Sequence, residues 1–590
     1  VSPHNPERIY YAAEYLFRSD DRGDSWRKVS GDLTRGVDRN TLEVMGRVWS
    51  VDAIAKNDST SRYGSAIGLS ESPLVEGLIY IGSDDGVISI TEDGGENWRR
   101  VTKFPGVPEM SLVEDVIASV HDPDVAYAVF DNHKRGDYKP YVFRTENRGR
   151  SWKSISGDLP PRGSAHTIAE DHENAGLLLV GTEFGVFFTQ QTGNSWHRLD
   201  AEFPTIAVRD LEIQRRENDL VVGTFGRGVY ILDDYSALRT PRNALQAEHL
   251  FTPRDTWLYL EGDIWGSSLK GSQGEAFFTA PNPAYGAMFT YYLRDAIESR
   301  RKVRRTAEIE LEKQGVDTPY PSWDELRAED LEVAPAVYLM VRDENGELVR
   351  QVPAASSAGL HRSAWDLRLP APGPVELEEV DRPSWAEPPK GPLALPGSYS
   401  AQLAVLRDGV LAEVGPAQRF RVKALENSPE ITEDRRELQA FQLKAASLQR
   451  AVAGSVSLTQ EMDRRVAFLR AALVATPTAG DEERARLQSA YALLSQVKIA
   501  LSGDRTISSR NESAPVSTAS RISSVYSAVS SIQSPVGAML RESYAVAATE
   551  FSETLPLIQQ LARELASLEN ELEIKGAPWT PGRVPQWEAR

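Results

Sequence analysis

Cysteine is absent from the 590-residue chain, which excludes disulfide frameworks, zinc–thiolate sites and thiol nucleophiles. No apolar run approaches the ~20 residues that a membrane-spanning helix requires. Lysine is scarce, 14 residues against 52 arginines, and basic residues are outnumbered 66 to 85 by acidic ones. The net charge of −19 argues against nucleic-acid binding and against attachment to anionic membrane. Histidine numbers only 8 and forms no His-x-x-x-His or comparable pair, so no metal site is called for. No phosphate-binding glycine loop or nucleophile elbow occurs, and no cofactor is called for either.

What is present is a repeat. Ser19-Asp-Asp-Arg-Gly-Asp-Ser-Trp26 recurs as Thr91-Glu-Asp-Gly-Gly-Glu-Asn-Trp98, Thr145-Glu-Asn-Arg-Gly-Arg-Ser-Trp152 and Thr189-Gln-Gln-Thr-Gly-Asn-Ser-Trp196. All four fit Ser/Thr-x-(Asp/Asn/Gln)-x-Gly-x-(Ser/Asn)-Trp, a pattern that resembles the Asp-box, or BNR repeat, of β-propellers. A hydroxyl and a carboxylate at this spacing bond to nearby backbone N–H groups and close a tight turn. The glycine supplies a positive φ, and the tryptophan opens the next strand with a large ring to bury. Asp21 and Asp93 become Asn147 and Gln191 in the later copies, a drift that a structural turn tolerates and a metal ligand would not. Asp21, Trp26, Asp93, Trp98, Asn147, Trp152, Gln191 and Trp196 are therefore read as structural.

The repeats set the organisation of the first region, 1–240, as a partial β-propeller of about four to five blades. Full blades are expected at about 45–102, 111–156 and 163–199, with inner strands at Val48–Ala55, Leu112–Val120 and Ala165–Asp171. A further three strands lie in 206–233 and a partial blade in 8–30. The tryptophan spacings of 72, 54 and 44 residues indicate insertions that differ between blades. Two incomplete blades would leave open strand edges, so a second chain or an N-terminal fragment completing the propeller is expected as a partner.

The second region, 248–424, shows strand-like runs at 255–259, 274–279, 288–293, 337–342, 348–352, 361–369, 397–406 and 418–422. It reads as an immunoglobulin- or fibronectin-like β-sandwich, interrupted by a charged insertion at 294–332. The third, 429–573, carries apolar stripes at helical spacing, such as Leu438, Phe441, Ala445, Leu448 and Val452, and reads as an antiparallel helical bundle. The Pro/Trp-rich tail 574–590 is expected to lie extended on another domain. The fold class is mainly β with an α C-terminal domain.

The order of the repeats, then Gly-Thr-Phe-Gly-Arg-Gly-Val-Tyr-Ile-Leu-Asp-Asp (223–234), Trp365-Asp-Leu-Arg-Leu-Pro370, Leu395-Pro-Gly-Ser-Tyr399 and the Pro-Gly-Arg-Val-Pro-Gln-Trp ending, resembles a family. It is the large bacterial BNR-repeat proteins with sortilin-type propellers, often labelled glycosyl hydrolases, and this chain corresponds to their C-terminal part. The resemblance implies further blades in front and a secreted, periplasmic or cell-envelope location in a bacterium.

A glycosidase needs two carboxylates flanking the scissile bond. Glu114, Asp115, Glu170, Asp171 and Asp210 sit on or beside inner strands, and Arg47, Arg209 and Arg227 fall at similar places in three blades, as a sialidase-like carboxylate clamp would. The same arginines could line a channel that binds without reacting. The loop Asp131–Tyr141, with His133, Asp137, Tyr138 and Lys139, is a candidate contact for a ligand or partner. The favoured expectation is a non-catalytic extracytoplasmic binding or assembly protein whose sortilin-like propeller holds a peptide, glycan or partner protein. The alternative is a glycoside hydrolase, sialidase-like or tandem-propeller glucanase-like, with a carboxylate pair in the propeller cleft.

Overall fold

The computed structural model describes residues 1–58, 64–200, 203–259, 280, 282–375, 377, 390–425, 434–585 and 587. The chain divides into two compact units, Val1–Gln246 and Ala247–Arg590. It is mainly β, with helices dominating from residue 435 on.

The first unit is a series of up-and-down antiparallel sheets in strict sequence order. Sheet I holds β1 (Ile9–Ala12), β2 (Leu16–Ser19) and β3 (Arg27–Lys28). Sheet II holds β4 (Ala66–Glu71), β5 (Ile79–Ser83), β6 (Ile88–Thr91) and β7 (Arg99–Val101). Sheet III holds β8 (Leu112–Ala118), β9 (Ala126–Asn132), β10 (Asp137–Thr145) and β11 (Lys153–Ser154). Sheet IV holds β12 (Ala165–Glu170), β13 (Leu178–Thr182), β14 (Gly185–Thr189) and β15 (His197–Arg198). Sheet V holds β16 (Val208–Gln214), β17 (Asp219–Thr224) and β18 (Val229–Leu232).

The eight-residue repeat joins the last two strands of sheets I to IV, and its bonds are local. Ser19 Oγ accepts from the Gly23 N–H at 2.8 Å and donates to Asp21 at 2.7 Å, while Asp21 accepts from the Ser25 N–H at 2.9 Å. Gly23 and Gly95 stand at φ +101° and +106°, which a side chain rarely adopts. In the fourth copy, where Gln191 replaces the acid, Asp158 from the preceding loop accepts from the Trp196 N–H at 2.6 Å. Two of the four indoles also tie one sheet to the previous one: Trp98 donates to the Val29 carbonyl at 3.2 Å and Trp196 to that of Ile155 at 3.0 Å.

Sheet-to-sheet packing alternates two kinds of joint. A Cβ on Gly82 would fall 2.4 Å from the Val113 side chain, and one on Gly181 would fall 2.6 Å from Val208. Glycine thus makes room for a valine on the next inner strand. Between sheets III and IV the volumes are exchanged: Val129 and Ala165 lie buried in the same core. Such complementarity keeps the joints dense.

The first inner strand departs from the expectation. It is Ala66–Glu71, not Val48–Ala55, and Val48, Trp49, Val51 and Ile54 are exposed. The strand actually used is poorer in β-formers, but its Gly68 lies against Val116 of the next sheet. Close packing against a neighbour outweighs intrinsic propensity here.

In the second unit, β19 (His249–Leu250), β21 (Ala287–Leu293) and β24 (Gly359–Trp365) form one sheet. The other has the order β20 (Thr256–Leu258), β26 (Val410–Ala424), β25 (Gly397–Arg407), β22 (Ala336–Arg342) and β23 (Leu348–Ala354). One core built on Trp365, Tyr399, Phe289 and Phe420 serves both sheets. The strand expected at 274–279 lies outside the described residues. The charged insertion folds as α1 (Arg300–Lys313) and α2 (Trp323–Leu331), neither with a buried residue, tied by Arg304 to Glu329 at 2.6 Å.

The helical part comprises α3 (Arg435–Val474), α4 (Asp481–Ser502), α5 (Arg505–Ser508), α6 (Thr518–Val529) and α7 (Ala538–Ile574) around one apolar core. Arg465 of α3 pairs with Glu569 of α7 at 2.7 Å. In the tail, Arg583 is buried, pairs with Glu573 at 2.7 Å and accepts the Trp579 indole N–H on its carbonyl at 2.8 Å. The tail thus folds back on the end of α7.

Candidate functional site

Each inner strand of sheets II to V breaks register once, at the same place. The shifts fall between Ala66 and Gly68, Val113 and Asp115, Ala165 and Thr167, and Val208 and Asp210. The bulged residues are therefore Ile67, Glu114, His166 and Arg209. A bulge re-aims the extra residue out of the ladder, and here three of the four meet. Arg209 Nη1 donates to His166 Nδ1 at 3.1 Å, and Glu114 Oε1 lies 3.8 Å from the same nitrogen. His166 Nε2 donates to Glu183 at 3.0 Å, and Arg209 Nη2 stands 3.6 Å from that carboxylate.

These partners fix the chemistry of the row. An arginine cannot accept, so His166 Nδ1 must be the acceptor and Nε2 carries the proton, leaving the ring neutral. Burial holds the His166 pKa below its ordinary value, against the opposing pull of the Glu183 hydrogen bond. Burial also raises the Glu114 carboxyl, and the nearby Asp131 charge adds to the rise. Asp131 sits behind the row. Burial pushes its pKa up, but the His133 backbone N–H and ring outweigh that and hold it below the usual carboxylate value.

An exposed aromatic ring stands against the Arg209 end of the row, and two more exposed aromatic residues meet at Gly163. Arg209 lies 5.5 Å from the centroid of Phe225, which is 70% exposed. Phe184 follows Glu183, and its ring lies over Gly163, whose N–H donates to the Tyr138 carbonyl at 2.8 Å. Phe184 and Tyr138 are both about half exposed. Polar groups on the floor and aromatic faces on the rim suit a ligand with both apolar and hydrogen-bonding parts.

Of the residues singled out in the sequence, Arg209 is in the row. Arg47 is not: it stacks at 3.6 Å on Trp49, in the segment before β4, and Ile67 takes the position matching Arg209. Arg227 is exposed in the β17–β18 turn. His133 abuts the row through Asp131. Asp137 accepts from the Tyr141 hydroxyl at 2.6 Å and serves its own loop.

The candidate acids separate just as clearly. Asp115 accepts from Thr167 and Ile168 at 3.0 Å. Glu170 accepts from Ser119, Val120 and Tyr127. Asp171 accepts from Tyr235 at 2.6 Å and from Arg239 at 2.9 Å. All three link structural elements. Asp210 is exposed on the far face of sheet V. Only Glu114 joins the row, and the His166 ring fills the space between it and Glu183.

His166 and Glu183 were missed in the sequence. One usable signal exists: an acid stands at the end of the second strand in three sheets, directly after it as Asp84 and Glu183 following a Gly-Ser or Gly-Thr pair, and within it as Asp131 following Phe130. Among the described residues no group of three His, Asp or Glu side chains is placed to hold a metal ion, and no helix is long and apolar enough to cross a membrane.

No protein-family model and no curated protein matches the chain. Solved structures do. YCF48 bound to D1 peptide is 18% identical, the match covering 29% of this chain and 56% of that one, with a TM-score of 0.22. The Cps50 (Swd1) β-propeller domain of Myceliophteria thermophila is 11% identical over 42% of this chain and 73% of that one, with a TM-score of 0.29. An ancestral GH74 enzyme is 12% identical over 70% and 53%, with a TM-score of 0.30. These neighbours are β-propeller proteins. The chain spans little more than half the length of the YCF48 and GH74 structures.

Proposed function

We propose that residues 1–240 are part of a β-propeller of the Asp-box, sortilin-like kind, and that it works as a non-catalytic binding module. The ligand, a peptide or glycan segment, lies across the row Glu114–His166–Arg209 with its apolar parts against Tyr138, Phe184 and Phe225. One observation carries this reading: the three bulged side chains of adjacent sheets converge, His166 bonded to Arg209 with Glu114 3.8 Å away, beside the exposed Phe225 ring, while Asp115, Glu170 and Asp171 are committed to structural bonds. In the same reading 248–424 is a fibronectin-like sandwich and 429–573 a bundle, both docking modules, in an extracytoplasmic protein whose propeller is completed by a further chain or fragment.

The test is binding of the purified chain to an immobilised heptapeptide library and to a glycan array, repeated with Arg209→Ala and Phe225→Ala. Selective binding that both substitutions abolish supports the reading. Binding that neither changes, or no selective binding at all, overturns it.

A second reading rests on Glu114, whose raised carboxyl pKa suits a general acid. The ring of His166 between Glu114 and Glu183 weighs against it, because a scissile glycosidic bond would need that space. Release of nitrophenol from aryl glycosides, or of reducing sugar from soluble β-glucans, lost in Glu114→Gln, would establish it.

A further inference from the structure

Sheets II, IV and V share one register. In sheet II, β5 and β6 pair Gly82 with Ile88 and Tyr80 with Ile90. In sheet IV, β13 and β14 pair Gly181 with Val186 and Leu179 with Phe188. In sheet V, β17 and β18 pair Gly223 with Val229 and Val221 with Ile231. The first two quartets are buried against the following sheet. Each glycine is the seat of a valine there, Val113 on Gly82 and Val208 on Gly181.

The third quartet is likewise one glycine and three apolar residues, and among the described residues nothing packs on it. Val229 is 65% and Ile231 59% exposed, and a Cβ on Gly223 would meet only Asp210 of its own sheet, at 3.4 Å. Gly223 has an ordinary extended backbone with no positive φ. Conformation therefore does not call for glycine, whereas an incoming side chain would.

We infer that this face of sheet V is the docking surface for one more up-and-down β-sheet, supplied from outside these 590 residues, with a β-branched residue of its first strand seated on Gly223. The seated sheets show what that strand must look like. Those of sheets III and V turn Val113, Val116 and Ala118, and Val208, Leu211 and Ile213, toward the preceding sheet. The bulge makes this spacing i, i+3, i+5, and the docking strand carries apolar residues in that pattern. Opposite Asp210 and Glu212, both exposed on the open face, it carries neutral or basic groups. No inner strand of a second copy is free to serve, because β4, β8, β12 and β16 are each already packed on the preceding sheet. The inference rests on the reading of the first unit as an incomplete propeller, and it stands apart from the ligand row, which the binding test addresses alone.

The cysteine-free chain allows a direct test. Affinity-tagged chain bearing Ile231→Cys, and a reference bearing Val584→Cys at a position 86% exposed, are isolated under native conditions from the cells the protein comes from and treated with a maleimide. A covered face slows labelling at position 231 by about tenfold or more relative to position 584, since thiol reactivity follows access. Adding Gly223→Trp restores the labelling rate. Benzophenone-4-maleimide attached at position 231 and irradiated then inserts into a C–H bond of a peptide with the i, i+3, i+5 pattern from outside residues 1–590. Equal labelling at the two positions overturns the inference, and so does a cross-link between two copies of this chain. Circular dichroism of the recombinant Gly223→Trp chain serves as control: an unchanged spectrum shows that restored labelling reports an uncovered face, whereas a collapsed spectrum shows that Gly223 serves this chain's own fold and overturns the seat.

Discussion

Trp26 and Trp196 end the same eight-residue repeat, yet Trp26 is 45% exposed and Trp196 6%. The difference lies in their neighbours. Trp196 belongs to sheet IV, which is covered on both sides, and reaches back to the Ile155 carbonyl of sheet III. Trp26 belongs to sheet I, has no preceding sheet among the described residues, and turns its indole to Gly23 of its own turn at 3.0 Å. Gly181 and Gly223 make the same contrast at the other end of the first unit. Identical local signals therefore carry very different energies, because the stabilising surface belongs to the joint between sheets.

That comparison yields its largest effect at the tryptophans. Trp196→Ala should cost about 3–5 kcal/mol, as emptying a buried aromatic site does, and Trp26→Ala about 1 kcal/mol or less, both read from urea unfolding. Similar losses at the two sites would show that the repeat is stabilised by its own turn alone.

Next come the glycines. Gly181→Val would place new atoms 2.6 Å from Val208 and 2.7 Å from Thr167, and overpacking of this kind costs about 1–3 kcal/mol. The same substitution at Gly223 should stay within about 0.5 kcal/mol in the isolated chain. A destabilised Gly223→Val would place a partner for this face within the chain.

A smaller effect is expected at two matching tyrosines. Tyr127 donates to Glu170 at 2.9 Å, and Tyr10 donates to Glu71 at 3.2 Å, each reaching the end of the next inner strand. Tyr127→Phe should cost about 1 kcal/mol, and Tyr10→Phe less, because its bond is longer and half-exposed.

The smallest effect is a difference in acid response among the repeats. Hydrogen bonds from Ser25, led by its side chain, bring Asp21 down to about 2, and the Asn97 backbone and side chain do the same for Asp93. Each pKa is depressed on folding. The contribution is therefore complete above the unfolded value of about 4 and is lost as pH falls through about 2. The third repeat uses Asn147, which does not titrate, to accept from the Ser151 N–H at 2.9 Å. Amide exchange near pH 2 should speed up at Ser25 and Asn97 while Ser151 keeps its protection. Equal loss at all three would mean global unfolding and not repeat-by-repeat opening.

Much of the architecture was legible in the chain, and the reason is range. The repeat closes through bonds spanning two to four residues, so Ser19, Asp21, Gly23 and Ser25 announce the turn wherever the neighbours lie. The helical stripes through Leu438 and Phe441 are similarly self-contained. The candidate site was legible only in fragments. Arg209 and Glu114 stood out as charged residues on strands, but Arg47 was grouped with Arg209 because Val48–Ala55 looks more strand-like than Ala66–Glu71. His166 shows no periodic signal at all, since a bulge leaves no mark in composition.

By itself the sequence determined the turns, the tryptophan that follows each, the helices and the absence of thiol chemistry, because each depends on residues close along the chain. Only the tertiary structure decided which segment became the first inner strand, which three bulged side chains meet, and which glycine stands under a valine. Those outcomes depend on volumes and register shared between segments about thirty to fifty residues apart, such as Gly82 with Val113 or Glu114 with His166, and a side chain's fate there is settled by what the next sheet brings against it.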